Sequence, residues 1–243
     1  MLCGELAEAF DRVVCLVDGS PESFGALADV SLLALPTARI VAITPFDLAA
    51  AARTRCRVEA IASAWDAQAQ MVRCRAEAAL GGRAGYARIV EGSSISAIVR
   101  AARQERGTML ALPAATLRRG VLRRLLLSTD GSILVSRGAL SERSELRLLV
   151  EDGLGEIAED IGRRLGNGAV ADPVTVVRRA VLTQSRSADL TVIRGDGHAR
   201  RFLRSFAQTV ADRASSSVLI VRPFYTGQAQ SARSLVAEAE YSD

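Results

Sequence analysis

RVVCLVDGSPES, residues 12–23, joins a run of apolar residues to a sharp turn and the start of a helix. The apolar run is too short for a helix and is typical of a strand buried on both faces, as in a parallel sheet. Ser20 stands at the N-cap of the next helix, with Pro21 at its first position and Glu22 in its first turn. This abrupt passage from strand to helix places Asp18 at the carboxyl edge of a sheet, where open α/β proteins bind ligands.

Composition narrows the class of protein. The chain has 243 residues, of which 49% are hydrophobic and only 4% aromatic, so Ala, Leu, Val and Ile must build its core. No apolar run reaches the ~20 residues of a membrane span and no export signal is visible, so we expect a cytoplasmic protein without a membrane partner. The four cysteines show no CxxC spacing, which favours reduced thiols over a disulfide or a metal site.

The charged residues restrict the chemistry further. All 31 basic residues are arginine, and His198 is the single histidine. The chain therefore has no lysine for a Walker-type phosphate site or for catalysis, and no multi-histidine metal site. The formal net charge is +4, but acidic residues are interspersed with the arginines and no aromatic-interleaved basic stripe occurs. We expect no nucleic-acid partner and a binding protein rather than an enzyme.

Strand and helix patterns alternate over the first 137 residues, which predicts a parallel sheet wound by right-handed crossovers. The predicted strands cover residues 12–17, 39–44, 86–90, 109–112 and 132–136. The predicted helices cover residues 21–35, 47–80 and 93–106. Trp65 is expected to be the packing anchor on the apolar face of the long second helix.

The pattern breaks at the polar residues 138–145 and then restarts, with Val-Asp-Gly at 17–19 echoed by Glu-Asp-Gly at 151–153. The restarted pattern predicts strands at 146–150, 190–193 and 218–221 and helices at 156–165 and 174–183. It has no counterpart of the long helix or of the strand before it. We therefore expect a first domain at residues 1–139, a shortened second copy at 140–224, and a polar tail at 225–243 with a short helix at 231–240.

Five segments carry a family resemblance: VDGSPES at 17–23, VEGS at 90–93 leading into IVRAA at 98–102, LLLST at 125–129, ADLTVI at 188–193 and SVLIVRP at 217–223. In this order they make the chain similar to the universal stress protein family in tandem arrangement. The resemblance implies the adenine nucleotide alpha hydrolase-like fold, a doubly wound parallel five-stranded α/β sheet, repeated here with a shortened second copy. It also implies pairing through the closing strands, 132–136 and 218–221, as an intrachain pseudo-dimer or in a homodimer.

Many members of that family bind ATP through an acidic residue after the first strand and a glycine pattern after the fourth. Asp18 stands at the acidic position of the first copy, while Pro113, Thr116 and Ser128 stand where the family has glycines. Only the final hydroxyl is kept, as Thr129. The helix that precedes the last strand in the family is missing from the pattern of the first copy.

In the second copy the acidic position falls at Glu151 and Asp152, and the glycine positions fall near Arg194, Gly197 and Ser205. The residues that the resemblance assigns to the nucleotide are therefore Asp18, Thr129, Gly195, Gly197 and Ser205. ATP is the cofactor that it implies, and the eroded pattern favours weakened or lost binding, with the second copy the better candidate. No catalytic residue and no metal site are assigned.

Several of these residues have a second interpretation. Asp18 could contact the adenosine or help to cap the first helix, and the loop from Gly195 to His198 could bind an anion or form an ordinary turn. The arginine cluster at 118–124 could bind a protein or an anionic ligand. It could also be the exposed face of a short helix with four residues directed inward: Val121, Leu122, Leu125 and Leu126.

The resemblance implies a non-enzymatic stress-response or regulatory protein with weakened or lost nucleotide binding. Two alternatives remain open at this point. The first is an ATP-binding universal stress protein with slow ATP hydrolysis. The second is a ligand-free adaptor that contacts another protein through four arginines: Arg118, Arg119, Arg123 and Arg124.

Overall fold

The computed structural model describes residues 10–47, 58–117, 120–138, 140–165, 174–195 and 206–222. Its strands are β1 Arg12–Leu16, β2 Arg39–Phe46, β3 Gly85–Glu91, β4 Met109–Pro113, β5 Ser132–Ser136, β6 Leu148–Glu151, β7 Val174–Val176, β8 Leu190–Arg194 and β9 Ser217–Val221. Its helices are α1 Pro21–Leu33, α2 Val58–Leu80, α3 Ser94–Glu105, α4 Val121–Ser128, α5 Gly155–Leu165, α6 Val181–Gln184 and α7 Phe206–Arg213. Among these residues, no helix is long and apolar enough to cross a membrane.

One sheet of nine strands runs through the described part of the chain, in the order β3-β2-β1-β4-β5-β9-β8-β6-β7. Every neighbouring pair is parallel except β5 and β9, which are antiparallel and place Leu134 opposite Leu219. The expected pairing of the closing strands within one chain is therefore confirmed. We call β1 to β5 the first half of the sheet and β6 to β9 the second half.

Apolar layers cover both faces of the sheet. Alternate residues of β1 enter different layers: Val13 and Cys15 pack with α1 and α2, whereas Val14 and Leu16 pack with α3 and α4. Since both faces are buried, the strand carries an uninterrupted apolar run instead of an alternating pattern. The interpretation of residues 12–17 as a doubly buried strand is confirmed.

Two predicted elements of the first half are wrong. The first is the missing helix before the last strand, since α4 lies directly before β5. It buries Val121, Leu122, Leu125 and Leu126, as the amphipathic interpretation of this segment expected. Trp65 is 41% exposed and anchors nothing in the core. Of the α2 side chains that the structure describes, residues 63–68 are exposed and Ala69 is the first that is buried.

The second half departs from the predicted pattern at residues 174–183. Val174–Val176 forms β7 beside β6, and the chain then makes a 3-10 turn before the four-residue α6. The β-branched Val-Thr-Val run favours an extended chain where a neighbouring strand is available, which explains why a single helix does not form. Helix α7 was not predicted. The proposed helix at 231–240 and residues 48–57 of the predicted long helix lie outside the described residues.

The linker between the two halves, residues 137–147, is held against α1 by hydrogen bonds to the buried carboxylate of Asp29. Asp29 Oδ1 accepts the backbone N–H groups of Leu140 at 3.0 Å and Ser141 at 3.1 Å, and Oδ2 accepts the Ser136 hydroxyl at 2.6 Å. Gly25 allows this approach, since a Cβ there would lie 2.7 Å from the Cα of Gly138. Burial raises the pKa of Asp29, although its hydrogen bonds act in the opposite direction.

Arg137 fastens the other side of the linker to the second half. Its backbone N–H donates to Ser217 Oγ at 3.0 Å, its Nε to the Ser216 carbonyl at 2.9 Å and its Nη2 to the Ala211 carbonyl at 3.2 Å. The end of β5 is thereby held against the beginning of β9 and the end of α7. The linker has defined contacts with both halves.

We expect Asp29→Ala to lower the free energy of unfolding by about 2 to 4 kcal/mol, because it leaves buried N–H groups of the linker without an acceptor. Urea unfolding followed by circular dichroism measures the change. Asp66→Ala is the matched control, since Asp66 is an exposed acid on α2 and its loss should cost less than about 0.5 kcal/mol. Equal costs for the two variants would contradict the anchoring role of Asp29.

The raised pKa of Asp29 predicts a pH dependence. A carboxyl whose pKa is higher in the folded chain than its ordinary value of 3.8 stabilises the fold most when it is protonated. Its contribution is complete below about pH 4 and declines as the pH rises through the raised pKa. The difference in free energy of unfolding between the natural chain and Asp29→Asn should therefore shift against the natural chain from about pH 4 to neutral pH. A difference independent of pH would contradict this expectation.

Candidate functional site

Asp18 follows β1 at the carboxyl edge of the first half. Its Oδ1 accepts the Ser20 backbone N–H at 3.0 Å and the Ser20 hydroxyl at 2.6 Å. Ser20 Oγ in turn accepts the backbone N–H of Ser23 at 3.2 Å and so caps α1. Asp18 thus orients the capping serine, in agreement with the second of its two interpretations. Its contact with an adenosine stays a prediction.

Gly19 is needed at this turn for packing. Its φ is +95°, and a Cβ would lie 2.8 Å from Cγ2 of Val72 on α2. The glycine therefore lets α2 approach the turn after β1. A close approach of the backbone to a phosphate is not required to explain it.

The end of β4, at the same edge of the sheet, offers few hydrogen-bond donors to an anion. Pro113, the last residue of β4, has no backbone N–H, and a 3-10 turn over Ala114–Thr116 follows it. Thr129 is buried and its hydroxyl donates to the Leu125 carbonyl at 2.8 Å. The hydroxyl that the resemblance assigned to a nucleotide therefore helps to close the C-terminus of α4.

Arg222, directly after β9, completes this closure of α4. Its guanidinium donates through Nη1 to the Thr129 carbonyl and through Nη2 to the Leu126 carbonyl. A cation at the C-terminus of a helix is favourable because the unpaired carbonyl groups carry partial negative charge. A residue that follows the last strand of the second half thus lies beside Thr129.

In the second half, the backbone N–H groups of the last residue of β8 and of the residue after it are bound within the protein. The Arg194 backbone N–H donates to Glu151 Oε2 at 2.7 Å, and the Gly195 backbone N–H donates to the Val221 carbonyl at 2.7 Å. Glu151 is buried at the end of β6, and its Oε1 lies 3.6 Å from Nη1 of Arg178. A carboxylate of the protein itself occupies the place where the strand end would face an anion.

The register corrects one assignment. The backbone N–H of Asp152 donates to Val176 O as that of Val17 donates to Ile43 O, both at 2.9 Å. Asp152 therefore matches Val17, one residue before Asp18, and Glu151 lies a further residue inside the strand. The prediction that Glu151 and Asp152 stand at the place of Asp18 is wrong, because Gly153 stands there. The second half reaches its positive-φ glycine, Gly153, one residue earlier than the first half, where Gly19 follows Asp18.

Gly197, His198 and Ser205 lie outside the described residues, as do Arg118 and Arg119, so the roles assigned to them stay predictions. Within the described residues, no group of acids, cysteines and histidine is placed to hold a metal ion.

Cys15 and Cys74 are free thiols. Burial raises the pKa of Cys15, and the charge of Asp29 raises it further, so the thiolate needed for nucleophilic chemistry is disfavoured.

The described residues do not fit the phosphate cradle that the resemblance implies. Pro113 has no N–H to offer, the N–H groups of Arg194 and Gly195 have acceptors within the protein, and the Thr129 hydroxyl donates to its own helix. The bond of Glu151 to the Arg194 N–H was not predicted. An acidic residue at the end of the buried Leu-Leu-Val strand indicates such a bond, since a buried charge needs a partner.

Comparison with known proteins identifies the fold. A universal stress protein from Archaeoglobus fulgidus DSM 4304 is 13% identical, with a TM-score of 0.59 over 88% of this chain and 98% of that one. The cytoplasmic domain of a prokaryotic cation chloride cotransporter is 12% identical, with a TM-score of 0.52 over 91% of this chain and 98% of that one. A universal stress protein in complex with cAMP is 20% identical over 54% of this chain and 99% of that one, with a TM-score of 0.38.

No protein-family model and no curated protein matches the sequence. The structural similarity shows that the chain has the fold of universal stress proteins, the adenine nucleotide alpha hydrolase-like α/β fold. The predicted fold class is confirmed.

We expect Glu151→Ala to lower the free energy of unfolding by about 1 to 3 kcal/mol, because it removes the acceptor of the partly buried Arg194 N–H. Glu151→Gln is the matched control, since its side-chain oxygen can still accept this bond. It loses only a long ion pair to the half-exposed Arg178, worth less than about 1 kcal/mol. Thermal and urea unfolding measure both variants. If the glutamine variant lost as much stability as the alanine variant, the hydrogen bond would not be the determinant.

Proposed function

We propose that this chain is a non-enzymatic regulatory protein of the universal stress type in which ATP binding is weakened or lost. The observation that carries the proposal is the bond from the Arg194 N–H to the Glu151 carboxylate, because a bound phosphate would have to displace a buried charge of the protein. The first half supports it through Pro113 and the internally bound Thr129 hydroxyl. The free thiols of Cys15 and Cys74 suit the cytoplasmic location expected from the sequence.

We further propose that the two halves are two copies of one fold, with domains at residues 1–139 and 140–224 and a tail at 225–243. The strand order supports this proposal. Outward from the central pair, the first half follows β5, β4, β1, β2 and β3, and the second follows β9, β8, β6 and β7. Each series begins with a closing strand and continues through the strand before it to the opening strand. The antiparallel pairing of β5 with β9 gives the arrangement of an intrachain dimer.

An adaptor that binds another protein is the second candidate. Two observations favour it. The chain is similar over 91% of its length to a domain described as the cytoplasmic part of a transporter. Helix α4 also presents Arg124 and the 56% exposed side chain of Leu127 beside the half-exposed Arg123. Arginine next to an exposed apolar side chain is a common composition for a protein interface.

The test of the main proposal is nucleotide binding by the full chain. We expect mass spectrometry of the gently purified protein to find no adenine nucleotide, and millimolar Mg-ATP to leave the thermal midpoint unchanged. A bound nucleotide at a hundred times its dissociation constant would add about 2.7 kcal/mol to the free energy of unfolding. Stabilisation by Mg-ATP that disappears in Gly197→Asp or Ser205→Ala would contradict the proposal and establish the ATP-binding alternative.

A further inference from the structure

A polar cleft of about 740 Å³ lies where the two halves of the sheet meet. The linker forms one wall, and the segments that precede β8 and β9 form the other. We call it the junction cleft. It lies at the beginning of β6, β8 and β9, whereas Glu151 and Arg194 stand at the ends of β6 and β8. The junction cleft is therefore at the opposite edge of the second half from the loop that the resemblance assigned to ATP.

Four arginines line the junction cleft, and they differ in their partners. Arg143 is paired with Asp189, its Nε lying 3.6 Å from Oδ1. Arg147 and Arg186 are exposed, and their guanidinium groups have no hydrogen bond or ion pair to any residue that the structure describes. Two guanidinium groups thus face solvent at one cleft, and no carboxylate of the described residues lies within ion-pair distance of them.

Arg137 adds a third, more rigid cation. Its Nε and Nη2 are bound to the carbonyl groups of Ser216 and Ala211, which fixes the guanidinium plane. Nη1 makes no hydrogen bond within the described part of the chain. An arginine held through two of its nitrogen atoms is already ordered, so less entropy is lost when the third binds an oxyanion.

Acidic groups also line the cleft, but they leave it positive. Asp189 is committed to Arg143 and to the backbone N–H of Arg147, which it accepts at 2.9 Å. Glu142 and Glu145 are exposed on the linker. Four guanidinium groups therefore face three carboxylates. The free cations favour a ligand with an oxyanion group, since arginine binds planar and tetrahedral oxyanions through paired N–H donors.

A smaller cleft of about 270 Å³ continues from the first, because both are lined by Arg147, Ser187 and Ala188. Leu149 and Val174 add apolar surface to its lining. The Val174 side chain, on the edge strand β7, is 53% exposed. An apolar surface thus borders Arg147, one of the two arginines without an ion pair among the described residues.

We propose that the junction cleft and the smaller cleft together bind a small organic anion, with its oxyanion on Arg147 and Arg186 and its apolar body over Leu149 and Val174. The volume of the junction cleft falls in the range of sites for small molecules. The linker forms one wall of this site, and segments of the second half form the rest. The site is independent of the proposed loss of ATP binding, because it lies at the other edge of the sheet.

The probe is 1-anilinonaphthalene-8-sulfonate, an anion with an apolar aromatic body whose fluorescence rises on binding. We expect saturable binding to the natural full-length chain and a dissociation constant at least about tenfold higher for the Arg147→Ala, Arg186→Ala double variant, since each arginine contributes charge-assisted hydrogen bonds. The matched control is the Arg100→Ala, Arg103→Ala double variant on α3. It makes the same change in net charge at exposed arginines elsewhere and should bind like the natural chain.

Two further arms test the apolar part of the site. Val174→Ser should weaken binding while leaving the arginines in place. Octyl phosphate and adenosine monophosphate should displace the probe at concentrations at which inorganic phosphate does not, and the more effective of the two shows whether the site prefers an alkyl or an aromatic body. Circular dichroism should give the same thermal midpoint for the arginine variants and the natural chain. Absence of saturable binding, equal weakening in both double variants, or displacement by inorganic phosphate alone would overturn the proposal.

Discussion

The antiparallel contact between β5 and β9 determines the rest of the architecture. Each closing strand would otherwise present an edge of unpaired backbone groups, which is a site for unwanted pairing. Joining them makes one sheet and reverses the direction of the second half relative to the first. As a consequence, the carboxyl edges of the two halves point in opposite directions. The chain leaves β5 on the edge where β6 begins, and the linker follows that edge.

Asp29 and Arg137 explain why the linker has a defined conformation. The buried carboxylate binds it to α1, and the arginine binds it to α7 and to the start of β9. A buried charge is tolerated only where several donors surround it, and Asp29 has the Ser136 hydroxyl and the backbone N–H groups of the linker. The same ordering produces the junction cleft, whose walls are the linker and the segments before β8 and β9.

Polar groups at the strand ends are bonded within the protein. Glu151 accepts the Arg194 N–H, and the Thr129 hydroxyl binds its own helix. These contacts satisfy buried polar groups and therefore stabilise the chain. The framework is similar to that of universal stress proteins, at 13% identity, because apolar strands and capped helices can be built from many sequences.

Local patterns in the sequence determined the strands of the first half, the Ser20 cap and the inward face of α4, because periodicity and capping act over a few residues. They failed at β7, where a neighbouring strand decides between helix and sheet. The partners of the polar groups were decided only by the tertiary structure. Asp29 meets Ser136 across 107 residues, and Glu151 meets Arg194 across 43. No local pattern specifies such pairs, since they depend on which strands become neighbours in the folded sheet.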